Sequence, residues 1–250
     1  MPVRKRRNKA FSLGGFTIEP GENRYIELPL PALYTHSNVF MPVHVTVGRE
    51  SGPVMFISAA LHGDEINGVE IIRRVINARA IRRLRGTLVL VPVVNVYGFI
   101  SKSRYLPDRR DLNRSFPGSV QGSMAAKLAH LFLQEISRKC DYGIDLHTAA
   151  IGRENLPQIR ADLRNPDVVT LTQGLGGMVI LHSTPAVGTL RHAATQAGIP
   201  AVTLEAGGPS VLELNEVKHG VKGIETLIST IGMQRKLRLW SDPEPVYYRS

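Results

Sequence analysis

Four apolar runs mark the chain, and each is followed by a polar residue capable of chemistry. VMFISAA at 54–60 is bounded by Gly52-Pro53 before it and by His62-Gly63 after it. LVLV at 88–91 and AVTL at 201–204 have the same character, and YGID at 142–145 is a shorter example. Runs of this kind suit strands buried on both faces. His62 and Glu65 follow the first run, Asn95 the second, His147 the third and Glu205 the last. Open α/β sheets gather their sites at the carboxyl ends of strands, so these residues are expected in one crevice.

Helical periodicity alternates with the runs. Residues 65–78 carry Ile66, Val69, Ile72, Val75 and Ile76 at near-helical spacing, and 123–139 carry Met124, Leu128, Leu131, Phe132 and Ile136 behind a candidate N-cap, Ser123. Further helices are expected at 167–173, 189–197 and 212–231. Strand–helix alternation predicts one α/β domain with a mostly parallel sheet. A helix starting near His62 would bring His62 and Glu65, three apart, to one point. With His147 they make two imidazoles and a carboxylate, the set that a catalytic zinc uses with a fourth position left for water.

The segment 95–122 is too long and polar for an ordinary connection and holds Arg104, Arg109, Arg110, Asn113 and Arg114. Long loops in compact domains are commonly functional, and arginines grip carboxylates bidentately.

Composition narrows the classes. A chain of 250 residues can bury a large core without staples. Its one cysteine, Cys140, excludes an intrachain disulfide framework, fits a cytoplasmic location and is expected to be buried and inert. No run is long enough to span a bilayer, since Pro92 and Asn95 interrupt 87–100, and the first residues lack the apolar region expected of a secretory signal. Of the net charge of +10, about half comes from Arg4, Lys5, Arg6, Arg7 and Lys9. Without RNA-binding or finger motifs, that run is expected to be a solvated, disordered tail, with no nucleic-acid or membrane partner.

His62-Gly-Asp-Glu65, Arg104-Tyr105, DLNRSFPG at 111–118, DLHT at 145–148 and TLEAG at 203–207 occur in that order. Together they resemble the succinylglutamate desuccinylase/aspartoacylase family, a branch of the zinc carboxypeptidase superfamily, over roughly 43–231. The resemblance implies a carboxypeptidase-like three-layer α/β/α domain with a mixed, mostly parallel central sheet. It implies one zinc per chain on His62, Glu65 and His147, with Glu205 as the catalytic glutamate. Asn113 and Arg114 match the pair that holds the substrate carboxylate. Arg104 matches the arginine facing the oxyanion, with Arg109 and Arg110 as competitors.

The implied activity is zinc-dependent hydrolysis of the amide bond of an N-acyl amino acid or related small N-acyl compound. A peptide-cleaving zinc carboxypeptidase is the alternative, and a catalytically inactive binding module belongs to a different class. A homo-oligomer is compatible with the sequence. The expected organisation is a basic tail at 1–12, the zinc-hydrolase α/β domain at 13–238, and at 239–250 a linker or the start of the β-rich C-terminal domain usual in the family.

Around the implied site, Asp64 and Asp145 are candidates to orient the histidines. Asp111 is expected to anchor its own loop through backbone amides, and Arg191 is placed to line the pocket. His182, His192 and His219 are expected to be structural or exposed.

Overall fold

The apolar runs become the centre of a nine-stranded sheet in a computed structural model that describes residues 7–33, 35–234 and 246–249. The strands in chain order are β1 (Phe11–Leu13), β2 (Phe16–Ile18), β3 (Asn23–Pro29), β4 (Phe40–Val47), β5 (Glu50–Ala59) and β6 (Arg85–Val91). They continue as β7 (Tyr142–His147), β8 (Asn155–Ala161), β9 (Val179–His182), β10 (Ala201–Gly207) and β11 (Val246–Arg249). The α-helices are α1 (Asn67–Asn77), α2 (Val96–Ile100), α3 (Met124–Glu135), α4 (Pro166–Gly174), α5 (Leu190–Gln196) and α6 (Leu214–Thr230).

The strands β1 and β2 form a separate hairpin, and the main sheet runs β11-β9-β8-β10-β7-β5-β6-β4-β3. Its middle, β10-β7-β5-β6, is parallel, as are the β8/β9 and β9/β11 pairs. The β8/β10, β4/β6 and β3/β4 pairs are antiparallel, so the sheet is mixed and mostly parallel. One apolar cluster joins a face of the sheet to α3 and α5, and a second joins the other face to α1, α4 and α6. Burial from both sides explains why β5, β6, β7 and β10 are continuous apolar runs. The strands β3 and β4 alternate instead, because their polar positions reach solvent.

Local sequence accounts for the helix ends. Ser123 caps α3 by accepting from Ala126 N, and Thr189 caps α5 by accepting from His192 N. Cys140 is buried, its thiol donating to Ile136 O at 3.4 Å, and burial pushes its pKa up.

The N-terminal boundary differs from expectation. Residues 7–12, expected within a disordered tail, are tied down. Arg7 bridges Glu50, Asn8 Nδ2 donates to Gly48 O and Gly86 O at 3.0 and 2.9 Å, and Phe11 is buried in β1. The apolar side chains of β1 give this segment a core to join, which its charge pattern conceals. Residues 1–6 of that tail, and 239–245 and 250 of the expected linker, lie outside the described residues. Within the segment expected to be a linker or the start of a further β-rich domain, residues 246–249 form a strand paired in parallel with β9.

Phe132 on α3 has no exposed surface and meets Phe56 and Phe116 edge-on at 5.7 and 6.4 Å. Phe132→Ala is expected to cost about 3–5 kcal/mol in denaturant unfolding through loss of burial and an unfilled cavity. Lys127→Ala, on the exposed side of the same helix, should stay within about 0.5 kcal/mol.

Candidate metal centre and active site

The parallel register of β5, β7 and β10 assembles the site. Ala59 pairs with Leu146, and Glu205 pairs with His147, so the turn that leaves β5 emerges beside His147 with Glu205 across from it. His62 and Glu65 were expected at the start of a helix, but α1 begins at Asn67 and both residues occupy the preceding turn. Glu65 N donates to His62 O at 3.2 Å. Gly63 lets that turn pack on the backbone of α2: a Cβ there would lie 1.9 Å from the carbonyl carbon of Gly98. Convergence therefore comes from a tight turn rather than from helical spacing.

His62, Glu65 and His147 are 3, 2 and 6% exposed. One ligand atom from each lies within 4.8 Å of the others, a grouping that could hold a metal ion. Nδ1 of His62 is 2.7 Å from Glu65 Oε1, and Nδ1 of His147 is 2.7 Å from Glu65 Oε2. The opposite nitrogens are taken by other carboxylates. His62 Nε2 donates to Asp111 Oδ1 at 3.0 Å and His147 Nε2 to Asp145 Oδ2 at 2.6 Å. Ionised carboxylates only accept, so each Nε2 carries a proton and each Nδ1 faces inward. Asp145 is itself held by Ser58 Oγ, which donates to Oδ1 at 2.8 Å.

This packing of charges shifts their titration. Burial opposes charge on His62, yet its bonds to Asp111 and Glu65 outweigh that and raise its pKa above the usual 6.5. Burial also opposes charge on His147, but the negative charges of Asp145 and Glu65 raise it well above that value. For Glu65, burial alone would push the pKa up; the charge of His147 and bonds from both rings instead hold it at about 2. Burial acts against ionised Asp111 as well, and His62 and Arg104 overcome it to hold its pKa well below normal.

These groups open into a cavity of about 370 Å³ whose walls include Arg104, Asn113, Arg114, Arg160, Arg191 and Glu205. Arg104 is pinned to Asp111 Oδ2 by Nη2 at 3.0 Å, with Nη1 3.5 Å from Glu65 Oε1. Arg109 and Arg110 are not among the lining residues. Asp111 also accepts from Asn113 N at 2.8 Å, so it anchors its own loop and orients His62 together. Asn113 Oδ1 accepts from Leu190 N at 2.9 Å, which leaves its amide nitrogen as the group available to a ligand. Arg114 is exposed and donates from Nη1 to Asn113 O at 2.7 Å.

Two expected residues serve elsewhere. Asn95 is buried as the N-cap of α2, its Oδ1 accepting from Gly98 N at 2.9 Å. Asp64 orients neither histidine; its buried Oδ1 has no hydrogen-bond partner among the described residues. Sequence reading missed Asn155, Gln158 and Arg160, all of which reach Glu205. Their strand, β8, contains Pro157 and no continuous apolar run, so only the TLEAG strand beside it signalled chemistry. A hollow of about 580 Å³ at the opposite end of β7 and β10, next to Cys140 and Pro200, lacks a converging ligand group among the described residues.

Comparisons with known proteins bear on the family and the fold. The family model of the succinylglutamate desuccinylase/aspartoacylase catalytic domain matches residues 51–231. An N-alpha-acetyl-L-2,4-diaminobutyric acid deacetylase from Halomonas elongata is 31% identical over 120 residues, 48% of this chain; the match spans about a third (35%) of that relative's length. The product-bound ectoine utilization protein EutE (DoeB) from Ruegeria pomeroyi has the same fold, with a TM-score of 0.84 at 22% identity over 98% of this chain and 76% of its own. So has a succinylglutamate desuccinylase/aspartoacylase from Rhodobacter sphaeroides, with a TM-score of 0.81 at 22% identity over 91% of this chain and 71% of its own. The match to the catalytic-domain model covers well over half of the sequence, and the chain belongs to the succinylglutamate desuccinylase/aspartoacylase family.

Proposed function

We propose that the protein is a zinc-dependent hydrolase that removes the acyl group from an N-acyl amino acid or a related small N-acyl compound. The observation that carries this reading is the buried His62–Glu65–His147 group sharing a cavity with Glu205. Two imidazoles and one carboxylate are zinc donors by type, and their remaining nitrogens already have carboxylate partners. When bound, zinc supplies a Lewis acid that acidifies water and polarises the scissile carbonyl.

The chain's own residues do the rest. Glu205 takes a proton from the attacking water and delivers it to the departing amine. Arg104, fixed beside the centre by Asp111, faces the developing oxyanion. Arg114 and the Asn113 amide nitrogen receive the substrate carboxylate. A cavity of about 370 Å³ suits a small N-acyl compound. The activity named for the Halomonas elongata relative supports a deacylase.

Elemental mass spectrometry on protein purified without chelators should find about one zinc per chain. His147→Ala should lose metal and turnover together. Glu205→Gln should keep its metal and lose turnover by about 100- to 10,000-fold, and full turnover in that variant would sink the general-base role. In Arg114→Ala the KM for carboxylate substrates should rise by about 10- to 100-fold with kcat little changed; an unchanged KM would count against the assignment.

Zinc uptake should also depend on pH. His62 and His147 have raised pKa values without metal, and the metal binds only the imidazole freed of its Nδ1 proton. Affinity is therefore expected to increase as pH rises through and beyond the ordinary value of 6.5. Competition with a chromogenic chelator at several pH values measures this, and a flat profile would contradict it.

A further inference from the structure

Three donors from one strand converge on the Glu205 carboxylate, although their sequence spacing forbids it in a regular strand. Side chains alternate between the faces of a strand, so Gln158 and Arg160 on β8 share a face and Asn155 belongs to the other. The pairing with β10 resolves this. Glu205 pairs with Gln158 and Gly207 with Asn155, so Leu156 and Pro157 together stand opposite Ala206 alone. That is a β-bulge, and Pro157 suits it because proline has no N–H to give to the ladder. Leu156 is turned outward, 78% exposed. The extra residue reverses the alternation and brings Asn155 round to Glu205.

The contacts are unequal at the two oxygens. Arg160 Nε forms an ion pair with Glu205 Oε1 at 2.7 Å, without the geometry of a hydrogen bond. Oε2 receives Asn155 Nδ2 in a short bond, with Gln158 Nε2 and Arg160 Nη2 each at 3.4 Å. Arg191, the neighbouring guanidinium, bonds Ser183 O and Oγ at 3.2 and 3.0 Å instead. A carboxylate oxygen has two lone pairs, so the donors gathered at Oε2 fill it, while Oε1, held through the Arg160 ion pair, keeps room for a proton. Amide nitrogens do not take up protons near neutrality, and a guanidinium does not release one.

We propose that Asn155, Gln158 and Arg160 are positioning residues for Glu205, a cradle that fixes its carboxylate and leaves Oε1 as the proton-accepting oxygen. The proposal rests on the reading of Glu205 as general base. In that step water adds to the amide carbonyl and its proton passes to Oε1. The C–N bond then breaks, and the same proton goes to the departing amine. Because no member of the cradle exchanges protons, the proton stays on Glu205 between the two transfers.

The test uses the zinc-loaded full chain with Arg160→Ala, Arg160→Lys and Asn155→Ala, assayed on a panel of N-acyl amino acids and examined by crystallography. Misplacing the base should lower kcat by about 100-fold in Arg160→Ala, with KM within about twofold and zinc content unchanged. Asn155→Ala should change the same parameter in the same direction. Added guanidinium ion should restore part of the kcat of Arg160→Ala, and Arg160→Lys should retain more activity than the alanine variant. A raised KM with preserved kcat would make Arg160 a substrate anchor and overturn the proposal.

The crystal structures separate this proposal from the functional reading beneath it. If the wild type turns over no member of the panel, the deacylase reading fails. The cradle is still tested by whether Glu205 leaves its wild-type position in Arg160→Ala, and an unmoved carboxylate there overturns it. Should Arg160→Ala fail to fold, Asn155→Ala carries both readouts.

Discussion

An imidazole can offer either nitrogen to a ligand, and in this chain Asp111 and Asp145 remove the choice by accepting the Nε2 protons of His62 and His147. Everything at the centre follows from those two bonds. They turn both Nδ1 atoms toward Glu65, and they keep the rings from rotating to other partners. The two carboxylates are fixed in turn by different parts of the fold. Ser58 on β5 holds Asp145 on β7, and Arg104 with the amide of Asn113 holds Asp111. Buried charges of this kind are costly unless every partner is present, so the network is stable as a set and weak in pieces.

The sheet delivers these groups to one place. Covered on both faces, β5, β7 and β10 spend their interiors on apolar side chains and confine most of their polar chemistry to their carboxyl ends. Adjacent parallel strands in register then bring those ends together, which is why Glu205 faces His147 although 58 positions separate them. The long segment after β6 closes the third side, with Asp111 as the residue that binds its loop to His62.

Much of this was legible in the sequence because buried parallel strands announce themselves as unbroken apolar runs. His62, Glu65, His147 and Glu205 could be read because each terminates such a run or follows it closely. The helix expected at 62–65 was not correct: the two residues converge from the turn before α1, which Gly63 lets pack directly on the backbone of α2. The strands β3 and β4 escaped notice because alternation over a half-exposed surface is a weaker pattern than a continuous run. Still less visible was β8. Its polar side chains serve Glu205, its Pro157 argues locally against a strand, and its bulge changes which residues share a face. None of that is encoded in spacing alone; it exists only once β10 lies beside it.

The antiparallel direction of β8 has a consequence for divergence. The strands β5, β7 and β10 finish at the cavity, whereas β8 begins there, immediately after the connection 148–154 that also lines the opening. One edge of the cavity is thus built from the end of a loop, beside the strand ends that carry His147 and Glu205. Loops accept insertions and replacements that strand ends do not. A descendant of this chain can therefore remodel what it admits along that edge, while the histidines, Glu65 and Glu205 stay where the sheet has put them.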